Sequence, residues 1–208
     1  METENTLLKE LKKIEKWINE SSFIVNGTHL DGRIASLLAE PEILARIEKE
    51  FDNITAKRDK ENRSFGDMTI VIDNKEFPVN LKLTSENNNS NDNLVGLVGL
   101  MCHIFFDGKR VNGHSSIARK IKEGNYSEKY NDYGFISITK ETGKCEVSTI
   151  LSMENYVVNP SNGFQANFNR VITKEKTFED GRAYILNKYR EFLKKKAEAF
   201  LILEGMDV

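Results

Sequence analysis

Asp67, Asn80 and Lys82 stand on two β-rich runs, Met68-Thr69-Ile70-Val71-Ile72 and Phe77 to Leu83, joined by the turn formers Asp73-Asn74-Lys75-Glu76. That pattern predicts a hairpin. Strand side chains alternate faces, so Asn80 and Lys82 share one face while Leu81 points into the core. The turn returns Asp67 opposite Asn80 to Lys82. Asp67 supplies an anionic oxygen, Asn80 a neutral amide oxygen and Leu81 a main-chain carbonyl. These are hard oxygen donors of the kind that suits Mg2+. Lys82 can orient an attacking water and offset charge on a phosphorus-centred transition state. The chemistry this set is fit for is metal-assisted phosphodiester cleavage, with Asp67, Asn80 and Lys82 as catalytic residues and Asp67, Asn80 and Leu81 as metal-holding ones. The plain alternative is an ordinary exposed hairpin whose lysine is a solvated edge charge.

The arrangement resembles the PD-(D/E)XK nuclease superfamily, whose signature is an acid, a variable gap, then Asp/Glu-x-Lys; here Asn80 follows Asp67 by 13 residues. Thr84, two positions after Lys82, resembles the hydroxyl residue found there in restriction enzymes. The segment Phe77 to Thr84 followed by Asp92-Asn93 looks like that of a group of bacterial restriction endonucleases, as does Asn159-Pro160-Ser161-Asn162-Gly163-Phe164-Gln165-Ala166-Asn167-Phe168. There are two departures. Gly66 stands where the family has Pro, and Asn80 stands where it has a second carboxylate. The loss of that charge leaves three readings: a variant site, a compensating acid such as Glu40 or Glu42, or a weakened enzyme. The resemblance implies a restriction-endonuclease-like core, a mixed central β-sheet flanked by helices. It also implies a Mg2+-dependent type II enzyme that cuts double-stranded DNA at a short palindrome. Two-fold symmetric sites call for two copies of a half-site reader, hence a homodimer, with the first or last helix as its face. A catalytically inactive DNA-binding protein of the same fold, and a repair nuclease of the superfamily, are the alternatives.

DNA recognition needs amides for base edges and cations for phosphates. Amides cluster at Asn87 to Asn93 and at Asn159 to Asn169. Asn93, Asn162, Gln165 and Asn167 are therefore the candidate base readers, and alternation would put Gln165, Asn167 and Asn169 on one face. An A·T-rich target follows if these amides pair with adenine; an A·T-rich coding sequence would give the same composition. Lys109 and Arg110 head the basic stretch to Lys122 and are the phosphate-contact candidates. Lys194-Lys195-Lys196 reads as a solvated face. His29, His103 and His114 form no ligand set; His103 reads as a packed core histidine, and His114 as a possible phosphate contact.

These residues need elements to hold them. The chain of 208 residues suits one nuclease domain spanning 1–208, with DNA-recognition elements inserted after the catalytic core. Its net charge of −2 excludes a broadly basic nucleic-acid binder, so the cations must be local. Cys102 and Cys145 read as buried thiols, and no Cys/His spacing suits zinc. No signal peptide or membrane-spanning run is evident, which predicts a soluble cytoplasmic protein with no membrane partner. Helical periodicity covers Leu7 to Ile18. A second pattern runs through Ile34, Leu37 and Leu38 and is interrupted or restarted at Pro41; a further one spans Ile43 to Phe51. Gly27 to Gly32 reads as a loop, as does the polar stretch Lys57 to Ser64. Pro78 suggests an edge or strand-entry position. Asp92 or Asn93 is expected to cap a buried helix over Leu94 to Phe106, with Gly96 and Gly99 as its small face. Gly108 to Gly124 reads as a basic, Gly-punctuated loop. Phe135 to Thr139 and Glu146 to Leu151 form a second hairpin, Tyr156 to Val158 a short strand, and Phe178 to Leu203 one long helix.

Overall fold

The computed structural model describes residues 6–21, 32–56 and 65–204, the side chains at 32–38, 200 and 202–204 excepted. Residues 27–31 of the first expected loop, with His29, and the polar stretch 57–64 lie outside the described residues. In chain order the elements are helices α1 (Thr6–Glu20) and α2 (Gly32–Glu50), strands β1 (Ile54–Ala56), β2 (Met68–Ile72), β3 (Lys75–Thr84) and β4 (Asp92–Asn93), and helices α3 (Leu97–Phe106) and α4 (Gly113–Lys122). Strands β5 (Gly134–Thr139), β6 (Cys145–Thr149), β7 (Val157–Asn159) and β8 (Gly163–Ala166), a 3-10 turn (Phe168–Arg170) and helix α5 (Phe178–Glu204) follow.

Five strands form a mixed sheet in the order β1-β2-β3-β5-β6. All neighbours are antiparallel except β3 and β5, which run parallel. A parallel pair cannot be closed by a tight turn; here β4, α3 and α4 make the crossover. Alternation along the strands divides the core in two. Leu81, Ile136 and Ile138 face α1 and α2, where Leu7, Leu11, Ile14, Ile18, Ile43 and Ile47 bury them. Phe135 faces the other way, into a cluster built from α3, α4, α5 and the small sheet β4-β8-β7. The result is a mixed α/β fold with the large sheet between two layers. Each fully buried Leu, Ile or Phe contributes about 1.5–3 kcal/mol, so both layers are needed to hold the sheet.

The first hairpin forms as its sequence demands. Asp73 and Asn74 take φ of 50° and 61°, the type I′ geometry that matches strand twist, and Asx residues tolerate it best after glycine. At the far edge, the outward backbone groups of β6 are covered by α1. The Asn19 side chain pairs with Cys145 as a neighbouring strand would, accepting from its N–H at 2.8 Å and donating to its carbonyl at 3.1 Å. One turn earlier, Glu15 accepts from the Val147 N–H at 3.3 Å. An edge blunted in this way resists pairing with another chain.

Several expectations are corrected. Pro41 neither breaks nor restarts a helix: α2 runs through it, giving up one backbone hydrogen bond. Asp92 and Asn93 cap nothing. They form β4 against β8, and α3 starts three residues later than expected, at Leu97, after Gly96 and without a side-chain cap. Gly99 does pack closely, since a Cβ there would lie 3.2 Å from Phe65, whereas Gly96 faces open space. The Gly108 to Gly124 stretch is not all loop; it contains α4, whose Ile117 is buried. Residues 150 and 151 turn away from β6, and β1 joins the sheet unannounced because three residues carry too little periodicity. Pro78 lies inside a central strand, yet only where that strand lacks one neighbour, because β5 pairing begins at Val79. The apolar stripe of α1 is buried in the core under the large sheet. Cys102 and Cys145 are buried and free, as expected. Among the described residues, no helix is long and apolar enough to cross a membrane.

Candidate active site

The site is built where two neighbouring strands stop pairing at different points. β2 leaves β3 at the Met68–Val79 pair, while β3 continues to Thr84 beside β5 alone. Beyond Val79, the β2 side of β3 is open. In a strand the N–H and C=O of one residue point to the same side, and successive residues alternate. The Thr84 carbonyl accepts from Lys140 N–H, so the even-numbered residues of β3 turn to β5. Leu81 and Leu83 therefore turn to the open side. This register also explains Pro78, whose missing N–H falls on the side where β5 has not yet begun.

Gly66 and Asp67 fill the opening. Gly66 has φ of +100°, and a Cβ there would lie 3.0 Å from the Val79 carbonyl oxygen. Only glycine fits both the dihedral and the space; a proline, locked near φ −65°, cannot take this conformation. From this bend the Asp67 N–H donates to Val79 O at 2.8 Å, and Asp67 Oδ2 accepts the Leu81 N–H at 2.8 Å. With its nitrogen toward Asp67 and its oxygen toward Lys82, the Asn80 amide donates to Asp67 Oδ2 and accepts from Lys82 Nζ at 3.1 Å. The three side chains singled out in the sequence thus meet. The Leu81 carbonyl, on the same open side as its N–H, joins them. Burial, with the Asp67 charge second, pushes the Tyr133 hydroxyl above its ordinary range. Phe65, next to Gly66, packs against Tyr133 edge-on and against His103 at a tilt.

Among the described residues, no three or more His, Cys, Asp or Glu side chains gather as a metal set. The cluster offers one carboxylate and one main-chain carbonyl; the Asn80 amide oxygen is held on Lys82 and joins them only when the amide turns over. Those donors fit Mg2+, which is commonly held by one or two carboxylates and completes its shell with water and phosphate oxygens. They do not fit zinc, which wants nitrogen or sulfur. Glu42 is exposed and paired with Arg46, and Glu40 is half-buried on α2. Asp73, the other acid of the hairpin, sits in its turn, about 20 Å of strand away from Asn80. The strand register shows an acid the sequence reading missed. Lys82 lies beside Ser137, and Ser137 beside Glu146, so all three form one row on one face. Glu146 is two strands from Lys82, about 10 Å, and is paired with Lys144. Only the parallel β3–β5 pairing, invisible to local patterns, reveals that row.

The amide residues separate into two groups. Asn93 and Gln165 pair across β4 and β8, and Gln165 Nε2 donates to Asn93 Oδ1 at 2.8 Å. Asn159 Nδ2 donates to Gln165 Oε1 at 3.2 Å. These three run across the small sheet. Asn167 and Asn169 do not continue the alternation, because β8 ends at Ala166. Asn167 caps the 3-10 turn through the Asn169 N–H and donates to Asn88 O. Asn169 donates to the carbonyls of Ser85, Glu86 and Asn88 and accepts from Thr84 Oγ1 at 2.9 Å. Both side chains fasten the Asn-rich loop to the end of β3. Asn162 is exposed in the β7–β8 turn.

Lys109 and Arg110 are exposed just past α3, and Arg110 bonds Asn112. Their end of α3 lies toward the hairpin turn: Asp107 feels the Lys75 charge, and Lys75 is about 17 Å along β3 from Asn80. His103 is packed as expected, its Nε2–H donating to Asp132 O at 2.8 Å. His114 packs on Phe192 and bonds Tyr189 through Nδ1. Neither a protein-family model nor a curated protein matches the chain.

Proposed function

We propose that the chain is a metal-dependent endonuclease that cuts double-stranded DNA at a short specific sequence, with Mg2+ as cofactor and a second copy of itself as partner. The observation that carries the reading is the meeting of Asp67, Asn80 and Lys82 at the open side of β3, with the Leu81 carbonyl beside them. A mixed sheet between helical layers, with these groups where two strands part, agrees with a restriction-endonuclease-like core. The small sheet β4-β8-β7 follows as the recognition element.

Asp67 and the Leu81 carbonyl would hold the ion, joined by the Asn80 oxygen once the amide turns from Lys82; the ion when bound supplies a Lewis acid for the scissile phosphate and lowers the pKa of water. The chain's own groups do the rest. Leu81 N–H and the Asn80 amide hold the Asp67 carboxylate, so its orientation is set. Lys82 places an ammonium near the same point, where it orients the attacking water and offsets the charge that grows on the phosphate oxygens. Asn169 ties the end of this strand to the loop that leads into β4, coupling recognition to the catalytic strand. Of the two helices considered for the dimer, α5 is the one left: beyond its packed half, Leu201 is 65% exposed.

Digestion of a sequenced phage DNA tests the proposal. Wild type with Mg2+ is expected to yield discrete fragments whose ends share one sequence, and EDTA or Lys82→Ala to yield none. Sites made only of G·C pairs test the A·T preference. Random nicking would instead indicate a repair nuclease. Sequence-specific retention of DNA without cutting would establish a second reading, a DNA-binding protein of the same fold. Asn80 favours that one, since it leaves the cluster a single carboxylate.

A further inference from the structure

The amides of the small sheet form a relay whose sense is set by the backbone. Asn159 Oδ1 accepts the N–H of Ser161 at 2.9 Å and of Asn162 at 3.1 Å. A backbone N–H can only donate, so the oxygen of Asn159 must face the turn and its nitrogen must face Gln165. Gln165 must answer with oxygen, which sends its nitrogen to Asn93. Asn93 must answer with oxygen in turn, which directs its own nitrogen away from the relay. Amide orientation is ordinarily ambiguous; here one turn fixes three in succession. Asn93 is exposed, whereas Gln165 and Asn159 are half-buried behind it.

We infer that Asn93 is the specificity-determining side chain of the small sheet, and that it presents N–H donors to a hydrogen-bond acceptor on a DNA base edge. Asn159 and Gln165 are positioning residues that set this sense from behind. The inference rests on the proposed DNA-cutting function. Major-groove acceptors are guanine O6 and N7, adenine N7 and thymine O4, whereas the exocyclic amines of cytosine and adenine are donors.

The relay can be reversed without touching its exposed end. Asn159→Asp keeps the oxygen that faces the turn but turns a second oxygen on Gln165, which must then flip and flip Asn93 with it. Gln165→Glu reverses Asn93 from the middle, and Asn93→Asp reverses the end directly. Asn159→Ala removes the constraint without reversing it. Cleavage of a pool of randomised duplexes, read by sequencing the cut ends, gives the base preference at each position. The expected result is that Asn93→Asp, Asn159→Asp and Gln165→Glu all shift preference at the same single position toward donor-bearing base edges. The expected size is about tenfold, while Asn159→Ala only broadens preference there. A structural role for Asn159 would lower cutting at all sequences alike. Preference unchanged in Asn93→Asp overturns the assignment of Asn93. Preference changed in Asn93→Asp but unchanged in both Asn159→Asp and Gln165→Glu overturns the relay. Gln165→Glu keeps the relay testable if Asn159→Asp does not fold. A wild type that cuts without sequence preference overturns the inference and leaves the nuclease reading standing; one that does not cut removes both.

Discussion

The Asp67 carboxylate is held in place by the bend at Gly66 and by the Leu81 N–H, which takes one of its oxygens. Substituting the two ends of the cluster should therefore have different effects. Lys82→Ala removes a charge that matters most as the phosphate gains negative charge; cleavage is expected to fall about 100-fold or more, while a gel shift shows DNA binding retained. Asp67→Ala is expected to end Mg2+-dependent cutting in a single-turnover assay. Normal cutting by Asp67→Ala would move the site elsewhere, and Glu146 rather than Asp73 would be the acid to test, given where the two lie. Gly66→Ala forces a methyl group to within 3.0 Å of the Val79 carbonyl at a strained φ. It is expected to lower stability by about 1–3 kcal/mol in urea unfolding and to lower cleavage as well, because the bend is what delivers Asp67.

At the scale of elements, the strand that carries the candidate site is central yet half-open. Its hairpin partner stops at Val79, its parallel partner starts there, and the groups in question sit where the two pairings no longer overlap. The opposite edge of the sheet is closed by side chains of α1. Asn19→Ala removes both hydrogen bonds to Cys145, leaving an N–H and a carbonyl of β6 unpaired at the edge. A loss of about 1–3 kcal/mol is expected in urea unfolding, with faster amide exchange at Cys145 and increased self-association. An unchanged exchange rate would mean that the helix does not act as the missing strand.

For the molecule as a whole, two apolar layers enclose the sheet, and ionisable groups are buried with them. His103 is held below its ordinary pKa chiefly by burial, with Lys75 adding to the effect and the Asp132 carbonyl opposing it; burial and Lys196 do the same to His114. The folded imidazoles therefore take up protons at lower pH than the unfolded ones. Between those values the unfolded chain binds more protons, so stability rises with pH through that window and levels off above the ordinary value of 6.5. Denaturation midpoints are expected to fall as pH drops from about 7.5 to about 5. His103→Gln should flatten that dependence; a midpoint with the same pH slope in the variant would rule out this histidine as a cause.

Much of this is legible in the sequence. The hairpin, its turn at Asp73-Asn74, the shared face of Asn80 and Lys82 and the long last helix all depend on contacts within a few residues, which local spacing encodes. The meeting of Asp67 with Asn80 was legible for the same reason, since a two-residue turn leaves little choice of register. What the sequence could not carry was anything set by partners far along the chain. The parallel β3–β5 pairing, the row from Lys82 to Glu146, the use of Asn167 and Asn169 as fasteners and the pairing of Asn93 with Gln165 each join residues separated by dozens of positions. An amide that reads a base and one that pins a loop are the same residue in one dimension. Only the arrival of a distant backbone N–H or carbonyl, brought by tertiary packing, decides which hydrogen bonds remain to be made.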